Sequence, residues 1–282
     1  MVALTDAEIE RGYDNRAAVP DHPYWFEQFA ARSKAAVAAL HPALDVRYGP
    51  GAKETLDLFL PASPARGTLV FVHGGYWRAF DKADHAFVAP AFVAAGCAVA
   101  VVNYDLCPQV TIATIVEECR RALAWLAREG PGRGAPAPLV VAGHSAGGHL
   151  CAMLYATDWP GLGFAQAPLA GGVSLSGVHD VEPLVRSSYN ADLRLDEAEA
   201  RRVSPIRHRP LTDAPLLLAV GAGETSEFLR QTALLWDAWP RNRPTGMQAP
   251  LQVADRHHFS VVLDFSEPAS PLTQATLALF PR

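Results

Sequence analysis

Short apolar runs that alternate with helical patterns are the feature that most constrains this chain. TLVFV (68–72), for example, is a continuous apolar run after Thr68, which is typical of a strand buried on both faces. Runs of this kind separated by helices predict βαβ units and a parallel sheet. The predicted buried strands are 68–72, 97–104, 138–143, 171–177, 215–221 and 249–255. The predicted helices are 22–40, 84–95, 111–130, 149–157, 226–239 and 271–280.

The N-terminal part follows a different pattern. LDVRYG (44–49) and TLDLFLP (55–61) alternate between apolar and polar residues, which predicts half-exposed antiparallel strands. We therefore expect one α/β domain over residues 1–282, with a mostly parallel central sheet, an antiparallel N-terminal edge and helices on both faces. Residues 1–43 form a predicted helical extension, and residues 178–214, which carry no strong strand, form a predicted small cap or lid.

Composition excludes several classes of function. The chain has 282 residues, is 50% hydrophobic and carries a net charge of -5, so it has no basic surface for nucleic acid. It shows no signal-peptide pattern and no apolar run near the roughly 20 residues of a membrane span, and we expect a cytoplasmic protein. The cysteines have neither C-x-x-C nor zinc-site spacing, and we expect buried, reduced thiols. They are Cys97, Cys107, Cys119 and Cys151.

GHSAG (143–147) fits the G-x-S-x-G pattern, directly follows a predicted strand and opens a predicted helix. This context is the nucleophile elbow of α/β-hydrolases, in which small residues let the backbone turn sharply and lift the serine above the sheet. The five-residue pattern alone also fits a structural Gly/Ser turn. The strand–elbow–helix context favours Ser145 as a nucleophile.

HGGYW (73–77) supplies the matching second loop, because it also follows a buried strand. Acyl transfer creates an oxyanion that needs preorganised N–H donors, one after the nucleophile and one from a glycine-rich loop. We assign Ala146 to the first position, and Gly74, Gly75 and Tyr76 to the second. The sequence does not decide which of the three loop residues donates.

A catalytic serine needs a base and an orienting acid, which follow it in the order acid, then histidine. The predicted strand PLLLAVG ends at Gly221, and Glu224 follows three residues later. We favour Glu224 over Glu227, because Glu227 suits the first turn of the next helix, where a carboxylate complements the helix dipole. Asp255 is a weaker alternative. His257 and His258 both follow the last strand, and the spacing does not separate them.

Aromatic residues beside these motifs are candidates for the substrate pocket. Trp77, Phe80 and Trp159 are assigned to it, although Trp77 equally fits a core position beneath its loop. Arg186 or Asn190 could meet a substrate carboxylate.

Neither a metal nor an organic cofactor is predicted. His144 and His149 flank the serine but lack the H-E-x-x-H spacing of a zinc site, so we expect them to make local packing or polar contacts. There is likewise no P-loop and no dinucleotide fingerprint.

Four motifs together, HGGYW, GHSAGGH, GETSEFLRQ and HHFSVV, resemble the kynurenine formamidase (arylformamidase) branch of the α/β-hydrolases. That branch carries HGGxW where most relatives of the hormone-sensitive-lipase type carry HGGG. The segments 13–21, 48–61 and 176–205 also fit, so the resemblance covers nearly the whole chain. It implies an α/β-hydrolase fold and hydrolysis of N-formyl-L-kynurenine to formate and L-kynurenine.

The resemblance also bears on the catalytic residues. The histidine immediately before Phe is catalytic in that family, which implies His258, and the family's acid matches Glu224, where better-known members have Asp. Its implied substrate is a small formamide. A short-chain carboxylesterase with the same residues is the alternative, and a non-catalytic ligand-binding hydrolase fold is a remote one. We expect a small-molecule ester or formamide as the partner, no nucleic acid and no membrane, and a homodimer is left open.

Overall fold

The computed structural model describes residues 4–281, so the first three residues of the predicted extension and Arg282 lie outside the described residues. Eight strands in this range form one sheet in the order β1-β2-β4-β3-β5-β6-β7-β8. The β1–β2 and β2–β4 pairs are antiparallel, and the remaining pairs are parallel. The strands are β1 (Ala43–Arg47), β2 (Thr55–Phe59), β3 (Thr68–Val72), β4 (Ala98–Val102), β5 (Leu139–His144), β6 (Gly171–Leu175), β7 (Leu216–Gly221) and β8 (Leu251–Val253).

Helices cover both faces of the sheet. They are α1 (Asp6–Tyr13), α2 (Asn15–Ala18), α3 (His22–Leu40), α4 (Ala89–Ala94), α5 (Ile112–Glu129), α6 (Ala146–Tyr155), α7 (Asn190–Leu193), α8 (Glu197–Arg202), α9 (Ser226–Ala238) and α10 (Pro271–Leu277). The predicted α/β-hydrolase architecture, with its parallel core and antiparallel N-terminal edge, is confirmed.

The apolar strands are buried because each has helices on both of its faces. Along β3, Val70 and Val72 belong to the core on the α5 and α6 side. Leu69 and Phe71 point the other way, into the core that includes α3 and α4. Alternating side chains of a strand point to opposite faces, so a strand between two helical layers must be apolar throughout.

Three local predictions need correction. Strand β2 is fully buried rather than half-exposed, because β1 and β4 pair with both of its edges and Asp57 binds the buried Lys82 ammonium at 2.8 Å. The predicted helix over 84–95 is two 3-10 turns followed by the short α4. Helix α6 starts at Ala146 rather than 149, because it begins directly after the elbow.

Two peripheral segments complete the described chain. The N-terminal segment forms α1, α2 and α3, and the interval 178–214 forms α7, α8 and two 3-10 turns. Its role as a cap stays a prediction. No helix within residues 4–281 has both the length and the apolar character that crossing a lipid bilayer demands.

Candidate active site

The sequence-predicted residues come together at one edge of the sheet. The glycine loop follows β3, Ser145 follows β5, Glu224 follows β7 and His258 follows β8. These four strands are parallel, so their carboxyl ends lie at the same edge. Such an edge is where open α/β sheets place their ligand sites.

The elbow at Ser145 is strained and closely packed. Ser145 has φ 57° and ψ −116°, a region that non-glycine residues rarely adopt. A Cβ at Gly147 would lie 2.0 Å from the Val72 carbonyl oxygen, and one at Gly143 would lie 2.1 Å from the Gly147 oxygen. Only glycine fits either position, which explains the small residues of the motif. The Ser145 N–H donates to the Leu175 carbonyl oxygen at 2.8 Å and so fixes the turn against β6.

Hydrogen bonds to its backbone carbonyl oxygens hold the glycine loop in place. The Tyr104 hydroxyl donates to the His73 carbonyl oxygen at 2.8 Å, and His73 Nδ1 donates to the Gly74 carbonyl oxygen at 2.8 Å. In a trans peptide the C=O and N–H point in opposite directions, so these bonds turn the N–H groups of Gly74 and Gly75 the other way. Within residues 4–281, no protein acceptor binds the N–H of Gly74, Gly75 or Tyr76.

Residue Gly75 permits this conformation. Its φ is +110°, and a Cβ there would lie 2.2 Å from the Ala79 carbonyl oxygen. Directly after the serine, Ala146 is the first residue of α6, where the N–H groups of a helix have no acceptor within the helix. The loop and the helix therefore offer N–H donors from two sides of Ser145.

A carboxylate and an imidazole lie beside the elbow. Nδ1 of His258 lies 2.7 Å from Glu224 Oε2, and both side chains are almost completely buried. Glu224 Oε1 accepts hydrogen bonds from the Ser176 hydroxyl at 2.5 Å and the Gly221 N–H at 2.8 Å. These bonds hold the carboxylate in place, and an Nδ1–H donated to it leaves Nε2 of His258 free to accept a proton.

The alternative residues lie elsewhere. Glu227 makes two hydrogen bonds to Arg230, at 2.7 and 2.8 Å, and a third to Gln231. Asp255 is exposed. His257 points away from Glu224: its ring packs edge-on against Trp25 and its Nδ1 accepts from the backbone N–H groups of residues 259 and 260.

Buried neutral histidines form hydrogen bonds that hold the loops of the site in place. His144 Nε2 donates to the His258 carbonyl oxygen at 2.9 Å, which ties the histidine loop to the elbow strand. Burial, together with the neighbouring His258, holds the pKa of His144 well below its ordinary value. Burial also lowers the pKa of His73 to about 4 and that of His149 to about 4. A neutral imidazole can both donate and accept, and His149 does so: its Nδ1 accepts from Trp77 Nε1 and its Nε2 donates to the Val203 carbonyl oxygen.

A cavity of about 560 Å³, counting its open mouth, lies above Ser145 and His258. Its walls are largely aromatic, with a few polar side chains. The aromatic residues that line it are Phe26, Phe29, Tyr76, Phe80, His85, Tyr189 and Phe259, and the polar ones include Asn15, Arg16 and Arg78.

The chain is similar to several known proteins over most of its length. A family model described as BD-FAE matches residues 56–159. Kynurenine formamidase from Salmo salar is 28% identical over 245 residues, which cover 84% of this chain and 81% of that protein. A Silicibacter structure, provisionally described as a thioesterase, is 31% identical with a TM-score of 0.85, and the alignment covers 96% of this chain and 99% of that one. The chain is a formamidase-like α/β-hydrolase. Esterase B from Lactobacillus rhamnosus, 20% identical with a TM-score of 0.65 over 94% of this chain and 96% of its own, shares the fold.

Two tryptophans do not line the cavity of this formamidase-like hydrolase. Trp77 is completely buried, and its Nε1 donates to His149 Nδ1 at 3.2 Å. His149 Nε2 in turn donates to the Val203 carbonyl oxygen, so Trp77 anchors the glycine loop to α6. Trp159 is also completely buried, and its Nε1 donates to the Leu154 carbonyl oxygen at 3.0 Å. We therefore remove both from the pocket, whereas Phe80 does line it.

The residues suggested for a carboxylate are also engaged elsewhere. Arg186 pairs with Asp6 at 3.1 Å, and the Asn190 amide makes three hydrogen bonds to the backbone of its own segment. Within residues 4–281, no group of three His, Cys, Asp or Glu side chains is arranged to hold a metal ion.

Sequence reasoning missed most of the cavity wall. Asn15, Phe26 and Tyr189 belong to segments that carry no catalytic motif. Three signals could have found them: the segments 13–21 and 176–205, which also fit the family and contain Asn15 and Tyr189, and the run of Tyr24, Trp25 and Phe26 at the start of α3.

Proposed function

We propose that this hydrolase cleaves an N-formyl aryl amide such as N-formyl-L-kynurenine, with Ser145 as nucleophile, His258 as general base and Glu224 as the residue that orients it. The observation that carries the proposal is the 2.7 Å contact between His258 Nδ1 and Glu224 Oε2, beside a strained serine that shares a cavity with His258. This is the arrangement that activates a serine hydroxyl.

In the first half of the reaction, Ser145 Oγ attacks the formyl carbon while His258 Nε2 takes the hydroxyl proton. Glu224 stabilises the imidazolium that forms. The carbonyl oxygen becomes an oxyanion, which the N–H groups of the glycine loop and Ala146 bind. The carbon–nitrogen bond then breaks, and His258 gives its proton to the departing aryl amine nitrogen, which leaves a formyl ester on Ser145.

In the second half, water attacks the formyl ester and gives a proton to His258. The carbon–oxygen bond to Ser145 breaks, and the proton on His258 passes to Ser145 Oγ. Formic acid leaves and gives its remaining acidic proton to the solvent, which yields formate. The N–H groups that face the cavity serve both halves. Removing one such donor raises the barrier by about 2.7–4 kcal/mol in comparable enzymes.

Two observations support an aryl formamide as substrate. Kynurenine formamidases are relatives over more than four-fifths of the chain. The cavity presents Phe26, Phe29, Phe80 and Tyr189, which offer flat apolar surfaces to an aromatic leaving group. A formyl group, with no carbon beyond its carbonyl, also needs little room on the acyl side.

A short-chain carboxylesterase is the second candidate. A mycobacterial esterase, LipQ, is 30% identical over 149 residues, and structural neighbours of the chain are esterases. The same serine, histidine and acid serve either reaction, so the catalytic residues do not separate the two candidates.

The test is a steady-state comparison of N-formyl-L-kynurenine with p-nitrophenyl acetate, using the wild-type enzyme and Ser145→Ala. We expect a higher kcat/KM on N-formyl-L-kynurenine and loss of both activities in the variant, by a factor on the order of 10^4 to 10^6. Ser270→Ala is the matched control, because Ser270 caps α10, donates to the Asp264 carbonyl oxygen and does not line the cavity, and it should keep both activities.

The outcomes separate the candidates. Turnover of the ester alone would leave Ser145 in place and make the protein a carboxylesterase. Ester hydrolysis that persists undiminished in Ser145→Ala would remove Ser145 from the mechanism. No turnover of any activated ester or formamide would favour a ligand-binding protein.

A further inference from the structure

Asn15 is a buried polar side chain without a partner. It is the first residue of α2, it is 3% exposed, and it lines the cavity above Ser145. Neither its Nδ2 nor its Oδ1 has a hydrogen-bond partner among residues 4–281. Buried amides are nearly always hydrogen-bonded, because burial without a partner loses their bonds to water.

A purely structural asparagine in the same molecule looks different. The Asn190 amide donates to the carbonyl oxygens of Val185 and Leu195 and accepts from the Leu195 N–H, and these bonds close its own turn. Asn15 holds nothing of this kind with its side chain. Its donor and its acceptor are therefore available to a molecule in the cavity.

Positive charge lies on the same wall. Arg16 also lines the cavity, and its guanidinium carbon lies 5.7 Å from the centre of the Phe26 ring. Arg16 has no ion-pair partner in the described part of the chain. Arg78 reaches the cavity too, but its guanidinium pairs with Asp192 and lies over the Tyr189 ring.

We propose that Asn15 and Arg16 bind the amino-acid end of the substrate and so select formamides that carry an α-amino acid group. Asn15 Nδ2 and the Arg16 guanidinium donate to the α-carboxylate, and Asn15 Oδ1 accepts from the α-ammonium. This assignment rests on the proposed formamidase function. It places recognition of the leaving group on the N-terminal segment, apart from the residues that break the bond.

The contacts fit this ligand better than a simple ester or a plain aryl formamide. An amide side chain offers one donor group and one acceptor, which match the two charged groups of a zwitterion. An aryl formamide without the amino-acid group has neither a carboxylate to accept from Asn15 Nδ2 nor an ammonium to donate to Asn15 Oδ1. A site with buried polar groups discriminates strongly against a ligand that leaves them unpaired.

The experiment compares three substrates: N-formyl-L-kynurenine, formanilide, which is an aryl formamide without the amino-acid group, and p-nitrophenyl acetate. For Asn15→Ala we expect kcat/KM on N-formyl-L-kynurenine to fall about 10- to 100-fold, mainly through KM, since a hydrogen bond to a charged group is lost. Turnover of formanilide and of the ester should change less than about threefold. Asn15→Asp should lose more on N-formyl-L-kynurenine than Asn15→Ala, because it adds a charge that repels the α-carboxylate.

Two further variants separate binding from folding. Arg16→Ala should raise KM for N-formyl-L-kynurenine alone, and high salt should shrink the difference from wild type. Asn242→Ala is the matched control: Asn242 is buried far along the chain and donates to the carbonyl oxygens of Thr212 and Ala214. It should lower Tm without changing substrate preference, whereas Asn15→Ala should leave Tm unchanged or raised.

The outcomes distinguish this inference from the proposed function. If wild type hydrolyses N-formyl-L-kynurenine and Asn15→Ala loses all three substrates equally, or none, the formamidase function stands and the assignment of Asn15 is wrong. If wild type does not hydrolyse N-formyl-L-kynurenine at all, the proposed function fails and the assignment fails with it.

Discussion

Two regions of this hydrolase meet at one cavity and differ in how they are built. The floor consists of the loop 73–76, Ser145, Glu224 and His258, all at the carboxyl ends of sheet strands. The wall comes from the N-terminal segment and from the turns after β3 and β6, and it consists of Asn15, Arg16, Phe26, Phe29, Phe80 and Tyr189.

Hydrogen bonds to the carboxylate and to the loop carbonyls hold the floor in place, whereas the wall has few such bonds. Glu224 accepts bonds from Ser176, Gly221 and His258, and the carbonyls of the glycine loop are held from behind. The wall packs by aromatic contacts, such as Phe26 against Phe80 at 5.0 Å, and it leaves Asn15 unpaired. A preorganised floor suits bond breaking. A wall with polar groups that have no protein partner suits selection among substrates.

The largest effect should come from the acid of the floor. Glu224→Gln removes the carboxylate that orients the imidazole, and we expect kcat to fall on the order of 10^3- to 10^4-fold on every substrate. Glu227→Gln is the matched control. It should keep kcat/KM within about threefold and lower the free energy of unfolding by about 1–3 kcal/mol, because Arg230 loses its charged partner and one of the two oxygens to which it donates. Equal losses of activity in the two variants would mean that Glu224 has no special role.

Acid should lower the stability of the fold through buried histidines in and around the floor. Burial lowers the pKa of His73 and His149 to about 4 and that of His85 to about 3, while the unfolded chain binds these protons near pH 6.5. The unfolded state therefore binds more protons below pH 6.5, and stability falls as the pH drops from 6.5 towards 4. Each of these histidines should lower the free energy of unfolding by on the order of 2 kcal/mol at pH 5.

Buried carboxyls act in the opposite direction: burial raises the pKa of Glu118 to about 7 and also raises the pKa of Asp84 and of Asp180. Glu118 has the largest of these shifts. Between pH 7 and about 4.5, folded Glu118 keeps a proton that the unfolded chain releases. Acidification over this range therefore raises the free energy of unfolding at this residue. Urea unfolding at pH 7.5, 6 and 5 measures the free energy of unfolding, and we expect it to fall towards pH 5 because the histidines outweigh the carboxyls. His85→Leu cannot titrate at that position and should flatten the curve. An unchanged slope in this variant would contradict the assignment to His85.

A smaller effect should come from the residue that links the floor to α6. Trp77→Phe removes the hydrogen bond to His149 and should lower the free energy of unfolding by about 1–3 kcal/mol. KM for every substrate should stay within about threefold, since Trp77 lies outside the cavity. A selective rise in KM for the aryl formamide, with no loss of stability, would return Trp77 to the pocket.

The two regions also differ in how far the sequence predicts them. Ser145, Glu224 and the glycine loop were predictable because each follows a strand whose apolar pattern is local, and parallel strands bring their ends together. The choice between His257 and His258 was not local. It depends on which ring reaches Glu224 across the sheet edge, while the other ring turns outwards onto Trp25.

The wall could not be predicted from strand patterns at all. Tyr189 reaches the cavity by stacking on Tyr76 at 4.2 Å, across more than a hundred residues of chain. Asn15 enters it from a four-residue helix with no motif of its own. Long-range packing sets both positions, and a single sequence carries little trace of it.

Covalent labelling tests the role of Ser145 most directly. Wild type and Ser145→Ala are treated with diethyl p-nitrophenyl phosphate, and the adduct is mapped by mass spectrometry of peptides. We expect one phosphoryl adduct per wild-type chain, on the peptide that carries Ser145, loss of hydrolysis in proportion to labelling, and no adduct in the variant. Inhibition with Ser145 unmodified, or an adduct on another residue that tracks the loss of activity, would contradict a nucleophilic Ser145.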